Sequence, residues 1–238
     1  MSDGVTTRAV RLVAVGEPLQ VVEDLWLPAP GDGEVLVRVD HAGVNPIDTY
    51  AAVGTVGDTA RLPRTIGVEG TGTVDGTRVV VTGSGVGLLR DGTWADAVVA
   101  PRDAVIEVPA ELDPAQAGAL GTVAVTAYES LHALGKVTSD DRVLVLGAGG
   151  GVGVVAVQLA KIAGASVVGQ VGSAAKAAAV AALGADRVVV AGAEDLVAKV
   201  GDLRPTLVID PLGGGFTPGA VELAAIGGRI VILGVSAG

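Results

Sequence analysis

The period of hydrophobic and polar positions changes near the middle of the chain. Before about residue 110, short apolar runs alternate with polar residues, most clearly at Val35, Val37 and Val39 with Arg38 and Asp40 between them. A period of two predicts strands with one buried face, and the glycine- and proline-rich stretches between them predict turns. The predicted strands are 9–15, 19–23, 34–42, 67–74, 78–82, 94–99 and 105–108. This spacing is typical of an antiparallel β-barrel or sandwich.

The second half repeats a strand followed by a helix. A helix is predicted to begin at Asp113-Pro114, where an acidic N-cap precedes a proline in the first turn. Further helices are predicted at 122–134, 151–163, 173–183, 194–200 and 218–225, and strands at 142–146, 166–171, 187–190, 207–210 and 229–233. Because these strands are almost purely apolar, they predict a parallel sheet covered on both faces, an α/β fold. We therefore predict two domains, residues 1–120 and residues 121–238.

Composition and charge exclude several classes of protein. The formal charge of -10 argues against nucleic acid as a partner. The chain has no cysteine, which excludes disulfides, thiolate nucleophiles and cysteine-bound zinc. No basic segment followed by an apolar one opens the chain, and the uncharged stretch 143–160 contains five glycines, so neither a secretory leader nor a membrane span is predicted. We expect a cytoplasmic protein without a membrane partner.

A glycine-rich turn joins the first strand of the second half to its helix. Residues 147–153 read GAGGGVG, directly after the apolar run 142–146 and directly before an apolar helix. Glycines at this place let the backbone approach a pyrophosphate, whose charge then meets the free N–H groups and positive dipole of the helix N-terminus. The order of these elements predicts a dinucleotide-binding site rather than a purely structural turn.

The end of the next strand indicates which dinucleotide is bound. A cofactor without a 2'-phosphate is usually held there by an acid, about 20 residues after the turn. Residues 169–173 read GQVGS, without a carboxylate, and Lys176 follows one helical turn later. Ser173 can donate to a 2'-phosphate and Lys176 can neutralise it. NADPH is favoured over NADH, although a solvated surface lysine is the more ordinary interpretation of Lys176 taken alone.

Three stretches resemble a known family. They are GVNPIDTY at residues 43–50, VTAY at residues 125–128, and AGGGVG at residues 148–153 with the helix that follows through Lys161. With these motifs, nearly the whole chain resembles a medium-chain dehydrogenase/reductase of the zinc-independent quinone oxidoreductase branch, the zeta-crystallin-like proteins. The resemblance implies a GroES-like β-barrel catalytic domain, a Rossmann domain with a doubly wound parallel sheet, and NADPH in a cleft between them. Where zinc-dependent relatives place ligands, this sequence has Val44 before Asn45 and Val68 before Glu69.

The same resemblance implies roles for individual residues. Asn45 is a polar contact near the nicotinamide, and Tyr50 orients the substrate or donates a proton. The cofactor-binding residues it implies are Thr126 at the phosphates, Gly150, Gly151, Val152 and Gly153 at the pyrophosphate, Gly172, Ser173 and Lys176 at the 2'-phosphate, and Gly234 near the nicotinamide. Outside the resemblance, Asn45-Pro46 is also a common turn starter and Tyr50 an ordinary half-buried tyrosine.

The expected function is hydride transfer from NADPH to a quinone or another conjugated carbonyl, without a metal. Two alternatives stay open: an enoyl-thioester reductase of the polyketide or fatty-acid type, and a non-catalytic NADPH-binding relative. Five strands are predicted in the parallel sheet, where a complete dinucleotide fold has six. Relatives also return to the barrel after the last strand, so the chain is expected to be either a shortened enzyme or a fragment. The resemblance further implies a homodimer.

Overall fold

The chain folds into two compact units, one ending at Thr122 and one beginning at Val123. The computed structural model describes residues 4–234. No helix within that described range is long and apolar enough to cross a membrane. The boundary between the units falls inside a helix, α3 (Gly121–Tyr128).

The first unit is built from antiparallel strands. They are β1 (Val5–Leu12), β2 (Gln20–Leu27), β3 (Glu34–Ala42), β4 (Arg64–Thr65), β5 (Glu69–Val74), β6 (Thr77–Thr82), β7 (Ala97–Pro101) and β8 (Val105–Glu107). One sheet has the order β7-β3-β5-β6-β8, and a smaller one has the order β2-β1-β4. The alternation that predicted β3 is confirmed, because Val35 and Val37 point into a core that also contains Val79, Val81 and Val98.

Two short helices complete this unit, α1 (Pro46–Ala52) and α2 (Pro114–Gly118). The predicted N-cap of α2 is confirmed, since the Asp113 carboxylate accepts from the Gln116 N–H at 3.0 Å. The seven-residue α1 and the two-residue β4 were absent from the predicted elements, because neither is long enough to show a hydrophobic period. The first strand was predicted at 9–15 but ends at Leu12, before a turn in which Gly16 has a φ of 83°.

The second unit alternates strands with helices. Its elements are β9 (Arg142–Val145), α4 (Gly151–Ile162), β10 (Ser166–Val171), α5 (Ala174–Ala182), β11 (Arg187–Val190), α6 (Leu196–Val200), β12 (Leu207–Asp210), α7 (Phe216–Leu223) and β13 (Arg229–Ile232). All neighbouring strands are parallel, in the order β11-β10-β9-β12-β13. The first strand of this unit, β9, is thus the central one. Strands β10 and β11 lie on one side of it, and β12 and β13 lie on the other. The doubly wound sheet predicted from the apolar strands is confirmed.

This topology fixes where a ligand site belongs in the second unit. The strand order reverses at β9, whose neighbours β10 and β12 are reached by connections running in opposite directions. At such a switch point, the loops after the carboxyl ends of the strands separate and leave a crevice. The glycine-rich turn lies directly after β9 and therefore at this crevice.

The predicted helix 122–134 is one continuous segment with two geometries. After α3 the chain forms a π-helical segment, Glu129–Leu134, in which the Gly135 N–H donates to the Ser130 carbonyl, five residues back, at 2.8 Å. The Ser130 hydroxyl donates to the Thr126 carbonyl at 2.5 Å. This hydroxyl shares the acceptor of the preceding turn, a contact that often bends a helix.

Gly153 is packed too closely for any side chain. A Cβ at this position would lie 2.3 Å from the Gly147 oxygen and 2.6 Å from the Ala148 Cα. Both atoms belong to backbone that is itself held by the turn, so neither is free to move aside. The helix α4 thus lies against the turn only because this residue is glycine.

We expect Gly153→Ala to lower the free energy of unfolding by about 1–3 kcal/mol, because the methyl group forces α4 away from the turn. Urea denaturation monitored by circular dichroism measures the loss. Gly172→Ala is the control, since a Cβ there has no atom within 4 Å. Equal stability of the Gly153 variant and the wild type would contradict the packing described above.

Candidate active site

The glycine turn is held by backbone hydrogen bonds. Gly147 has a φ of 58°, which only glycine adopts readily. The Ala148 N–H donates to the Gln170 carbonyl at 2.8 Å, and the Gly150 N–H donates to the Gly147 carbonyl at 2.8 Å. These contacts set the direction in which the chain enters α4.

The N-terminus of α4 offers free donors to an anion. Gly150 is the N-cap residue and makes no side-chain capping bond, since it has no side chain. The N–H groups of Gly151, Val152 and Gly153 occupy the first turn, where no helical carbonyl precedes them. Together with the helix dipole they form a site suited to a pyrophosphate. The structure therefore brings together all four predicted residues of this turn.

Lys176 lies against the same turn. A Cβ on Gly149 would lie 2.9 Å from the Lys176 Cδ and 3.1 Å from its Cβ, so the aliphatic stem of the lysine crosses this glycine. Lys176 is exposed and forms no ion pair with an acid anywhere in residues 4–234, whereas Lys161 is paired with Asp186 and Lys199 with Asp195.

Ser173 and Gly172 stand beside this lysine at the end of β10. Both are exposed, and Ser173 is the N-cap residue of α5. Its hydroxyl makes no hydrogen bond to any residue in the described part of the chain. Because the Lys176 N–H donates to the Ser173 carbonyl at 3.2 Å, the two side chains belong to one turn. The predicted 2'-phosphate residues are thus neighbours in the structure.

The other two predicted cofactor contacts of this unit, Thr126 and Gly234, lie at the same edge. Val123, three residues before Thr126 on α3, has its Cγ1 2.9 Å from where a Gly151 Cβ would stand. Residues three apart share a helix face, so Thr126 lies on the face that meets the start of α4. A Cβ on Gly234 would lie 3.0 Å from the Pro211 oxygen, which places Gly234 beside the loop that follows β12.

Two buried polar residues of this unit were missed by the sequence analysis. Asp210 ends β12 and is fully buried; its carboxylate accepts from the Leu212 and Gly213 N–H groups at 3.0 and 2.9 Å and from the Thr217 hydroxyl at 2.8 Å. Gln170 was considered only as a position without a carboxylate, yet its side chain is 1% exposed and contacts the glycine turn. A polar residue inside an apolar strand was the available signal for both.

In the first unit, a buried carboxylate holds Asn45. The Asn45 Nδ2 donates to the Glu69 Oε1 at 2.6 Å, and the Thr122 N–H donates to the Glu69 Oε2 at 2.6 Å. Glu69 is 1% exposed and its backbone carbonyl accepts from the Thr93 hydroxyl at 2.5 Å. Since a carboxylate only accepts, the Asn45 amide must turn its nitrogen toward Glu69. The Asn45 Oδ1 is therefore directed away from this carboxylate as an acceptor.

Asp48 fixes the start of α1 around Asn45. Its two carboxylate oxygens accept from the Asn45 N–H at 2.7 Å and the Val68 N–H at 3.1 Å. Burial raises the pKa of the Asp48 carboxyl, and the nearby Glu69 charge adds to this, against the lowering effect of the two backbone bonds. The ionised form is thus disfavoured by folding, so the Asp48 contribution to stability falls as the pH rises from 3.8 toward the native pKa.

Tyr50 lies on α1, five residues after Asn45, and is partly exposed. Its hydroxyl makes no hydrogen bond to the residues between 4 and 234. A hydroxyl without an internal partner is available to a substrate. Neither the role of Tyr50 nor that of Asn45 is tested by this geometry, and both stay predictions.

The zinc-ligand positions of related dehydrogenases hold apolar residues. Val44 is 73% exposed and Val68 is buried. Within residues 4–234, no group of three or more histidine, cysteine, aspartate or glutamate side chains is placed to hold a metal ion.

Comparison with known proteins identifies two family regions. Residues 31–110 match the alcohol dehydrogenase GroES-like domain, and residues 151–238 match the zinc-binding dehydrogenase family. The chain is 31% identical over 239 residues to quinone oxidoreductase of Lama guanicoe. This alignment covers 95% of this chain and 72% of that protein. It is 33% identical over 230 residues to prostaglandin reductase-3 of Bos taurus, over 93% of this chain and 60% of that protein.

Solved structures of similar fold are also alcohol dehydrogenases and quinone oxidoreductases. A structure described as an NAD-dependent alcohol dehydrogenase superposes with a TM-score of 0.88 at 32% identity, over 97% of this chain and 78% of its own. The quinone oxidoreductase from Thermus thermophilus, which was also solved in complex with NADPH, has a TM-score of 0.84 at 28% identity, over 95% of this chain and 79% of its own.

A GroES-like first region followed by a Rossmann-type parallel sheet defines the class of this protein. The chain belongs to the medium-chain dehydrogenase/reductase superfamily, in its quinone oxidoreductase-like branch. The resemblance and the fold predicted from the sequence are confirmed.

We expect Glu69→Gln to lower the free energy of unfolding by about 1–3 kcal/mol. Glutamine has one acceptor oxygen where two N–H groups need one each, so either Asn45 or Thr122 loses its partner. Thermal and urea unfolding measure the change. Glu107→Gln, which alters an exposed glutamate of β8, serves as the control. Identical unfolding of both variants and the wild type would disprove the assigned role of Glu69.

Proposed function

We propose that this protein is an NADPH-dependent reductase that transfers hydride to a quinone or another conjugated carbonyl, without a metal. We assign residues 1–120 to the catalytic domain and residues 121–238 to the cofactor domain. Its family and its relatives named quinone oxidoreductase support oxidoreductase activity with a nicotinamide cofactor. A bound reduced nicotinamide supplies the hydride.

One observation supports NADPH as the particular cofactor. The stem of Lys176 crosses Gly149 in the glycine turn, while residues 169–173 at the end of β10 contain no carboxylate. An acid there would accept from ribose hydroxyls and repel a 2'-phosphate. A lysine beside an unbonded Ser173 hydroxyl instead offers a cation and a donor to that phosphate. The Thermus thermophilus relative solved with NADPH is consistent with this choice.

The residues of the first unit are proposed to orient the acceptor and to complete its reduction. We assign to Asn45, whose side chain is held by Glu69 at the start of α1, a polar contact with the nicotinamide or the substrate. We assign to Tyr50 the donation of a proton to the reduced product, from a hydroxyl without an internal partner. Positioning of donor and acceptor provides most of the rate in such a transfer, and proton donation adds to it.

The proposed substrate class suits hydride transfer without a metal. A carbonyl conjugated with a double bond or a ring delocalises the incoming electron pair, and both quinones and enones meet this condition. The relative named prostaglandin reductase-3 supports the same class.

We further propose a cytoplasmic homodimer that pairs through the edge strand β13. Ile232 on this strand is 54% exposed.

A fluorescence titration tests the cofactor. We expect NADPH to bind at micromolar concentration and more tightly than NADH. Lys176→Ala removes the proposed partner of the 2'-phosphate and is expected to weaken NADPH by about 1–2 kcal/mol while changing NADH little. Lys199→Ala, on α6, removes a cation of the same kind as a control. Equal losses for NADPH and NADH would refute the assignment of Lys176.

A second variant tests the proton donor. Tyr50→Phe removes only the hydroxyl, and we expect kcat for quinone reduction to fall by about 100-fold, with the Kd of NADPH unchanged. Stopped-flow absorbance of the reduced nicotinamide follows the reaction. Tyr128→Phe, at the other tyrosine, controls for loss of a phenol elsewhere. An unchanged kcat for the Tyr50 variant would rule out this role.

A further inference from the structure

The Gln170 side chain connects the ends of three adjacent strands. Gln170 lies on β10, between β9 and β11. Its Oε1 accepts from the Gly147 N–H at 2.8 Å, just after β9, and its Nε2 donates to the Ala191 carbonyl at 2.5 Å, just after β11. With 1% of its surface exposed, this amide has no access to water as an alternative partner.

The hydrogen bonds of Gln170 lie just beyond the point where the backbone pairing of β9 with β10 ends. The β9–β10 register ends at Val145, paired with Gly169. Beyond it, three successive N–H groups find different acceptors: Leu146 donates to the Ile209 carbonyl at 3.0 Å, and Gly147 and Ala148 donate to the side-chain and backbone oxygens of Gln170. Two of the three bonds that carry the chain into the glycine turn therefore end on one residue.

We propose that Gln170 is a positioning residue for the cofactor, which holds the pyrophosphate-binding turn in its binding conformation through the Gly147 N–H. This inference rests on the proposed function, because it assumes that the turn binds a dinucleotide. Gln170 does not contact the cofactor in this assignment. It acts by keeping the N–H groups at the start of α4 aimed at one point.

The chemistry of the two partners requires an amide. Gly147 presents a donor and Ala191 an acceptor, so the side chain between them must accept at one end and donate at the other. Methionine has nearly the same length but does neither. A glutamate accepts from Gly147 in both protonation states, yet only its protonated form donates to Ala191. Ionised, it also brings a negative charge to a turn that binds phosphates.

The experiment compares Gln170→Met and Gln170→Glu by NADPH fluorescence titration at about pH 6 and about pH 9. Gln170→Met loses both side-chain bonds, and we expect it to weaken NADPH about tenfold at both pH values because the turn is no longer held through the Gly147 N–H. Burial raises the pKa of a carboxyl, so the introduced glutamate is largely protonated at the lower pH and ionised at the higher. Gln170→Glu should therefore bind within about twofold of the wild type at the lower pH and more than about tenfold more weakly at the higher.

A merely structural role would give a different pattern. The variants would then unfold at lower temperature, while their folded forms bound NADPH like the wild type, and the glutamate variant would show no added pH dependence. Unchanged NADPH binding by the folded variants, or no added pH dependence in the glutamate variant, overturns the proposal. Gln158→Met is the matched control, since that exposed glutamine of α4 bonds only to its own helix, to the Val154 carbonyl at 2.9 Å.

Hydrogen exchange separates this inference from the proposed function. In Gln170→Met, the peptide that contains Gly147 should exchange its amide hydrogen faster than in the wild type, with or without NADPH. If wild-type protein binds neither NADPH nor NADH, the proposed function fails. If it binds NADPH and the variants bind equally well, or if exchange at Gly147 is unchanged, the role of Gln170 fails alone.

Discussion

A buried backbone N–H group that is not paired within a sheet needs another acceptor. In both units, buried side chains provide such acceptors. Asp48 accepts from Asn45 and Val68, and Glu69 accepts from Thr122. In the second unit, Gln170 accepts from Gly147, while Asp210 accepts from two N–H groups of the loop after β12. Asp48 and Glu69 bond to Asn45, and Gln170 bonds to the glycine turn, so three of these side chains hold residues with a proposed function. The positions of these residues thus depend on a few buried polar side chains as well as on the apolar core.

The same arrangement bears on the proposed pyrophosphate site of an acidic protein. The chain has a formal charge of -10, but Asp48, Glu69 and Asp210 are buried and bonded to backbone donors. At the end of β10 there is a serine hydroxyl and a lysine, and at the start of α4 there are free N–H groups. Local donors at short range outweigh a net charge that is spread over the surface and screened by salt. The proposed pyrophosphate site is therefore compatible with the net negative charge of the chain.

Much of the fold could be predicted from hydrophobic periodicity. Strands β3, β10, β11 and β12 have the predicted bounds, because alternating or purely apolar runs end there at turn residues. The elements that were missed, α1 and β4, are too short to show a period. The π-helical turn after α3 is a change in backbone hydrogen bonding, which no pattern of apolar residues reveals. For the candidate site, the glycine turn and Lys176 could be found from spacing alone, whereas Glu69 and Gln170 act through tertiary contacts between residues far apart in the chain.

The open space at Gly172 has a consequence for how cofactor use evolves in this protein. A Cβ placed there meets no atom within 4 Å, on the strand end where a ribose-binding acid stands in NAD-dependent folds. The backbone at this position therefore leaves room for the first carbon of an aspartate or glutamate side chain. Under the proposed function, such a residue would stand at the strand end that faces the ribose. If the proposed cofactor site is right, preference between the two nicotinamide cofactors can change through a residue that has no packed neighbour at its Cβ.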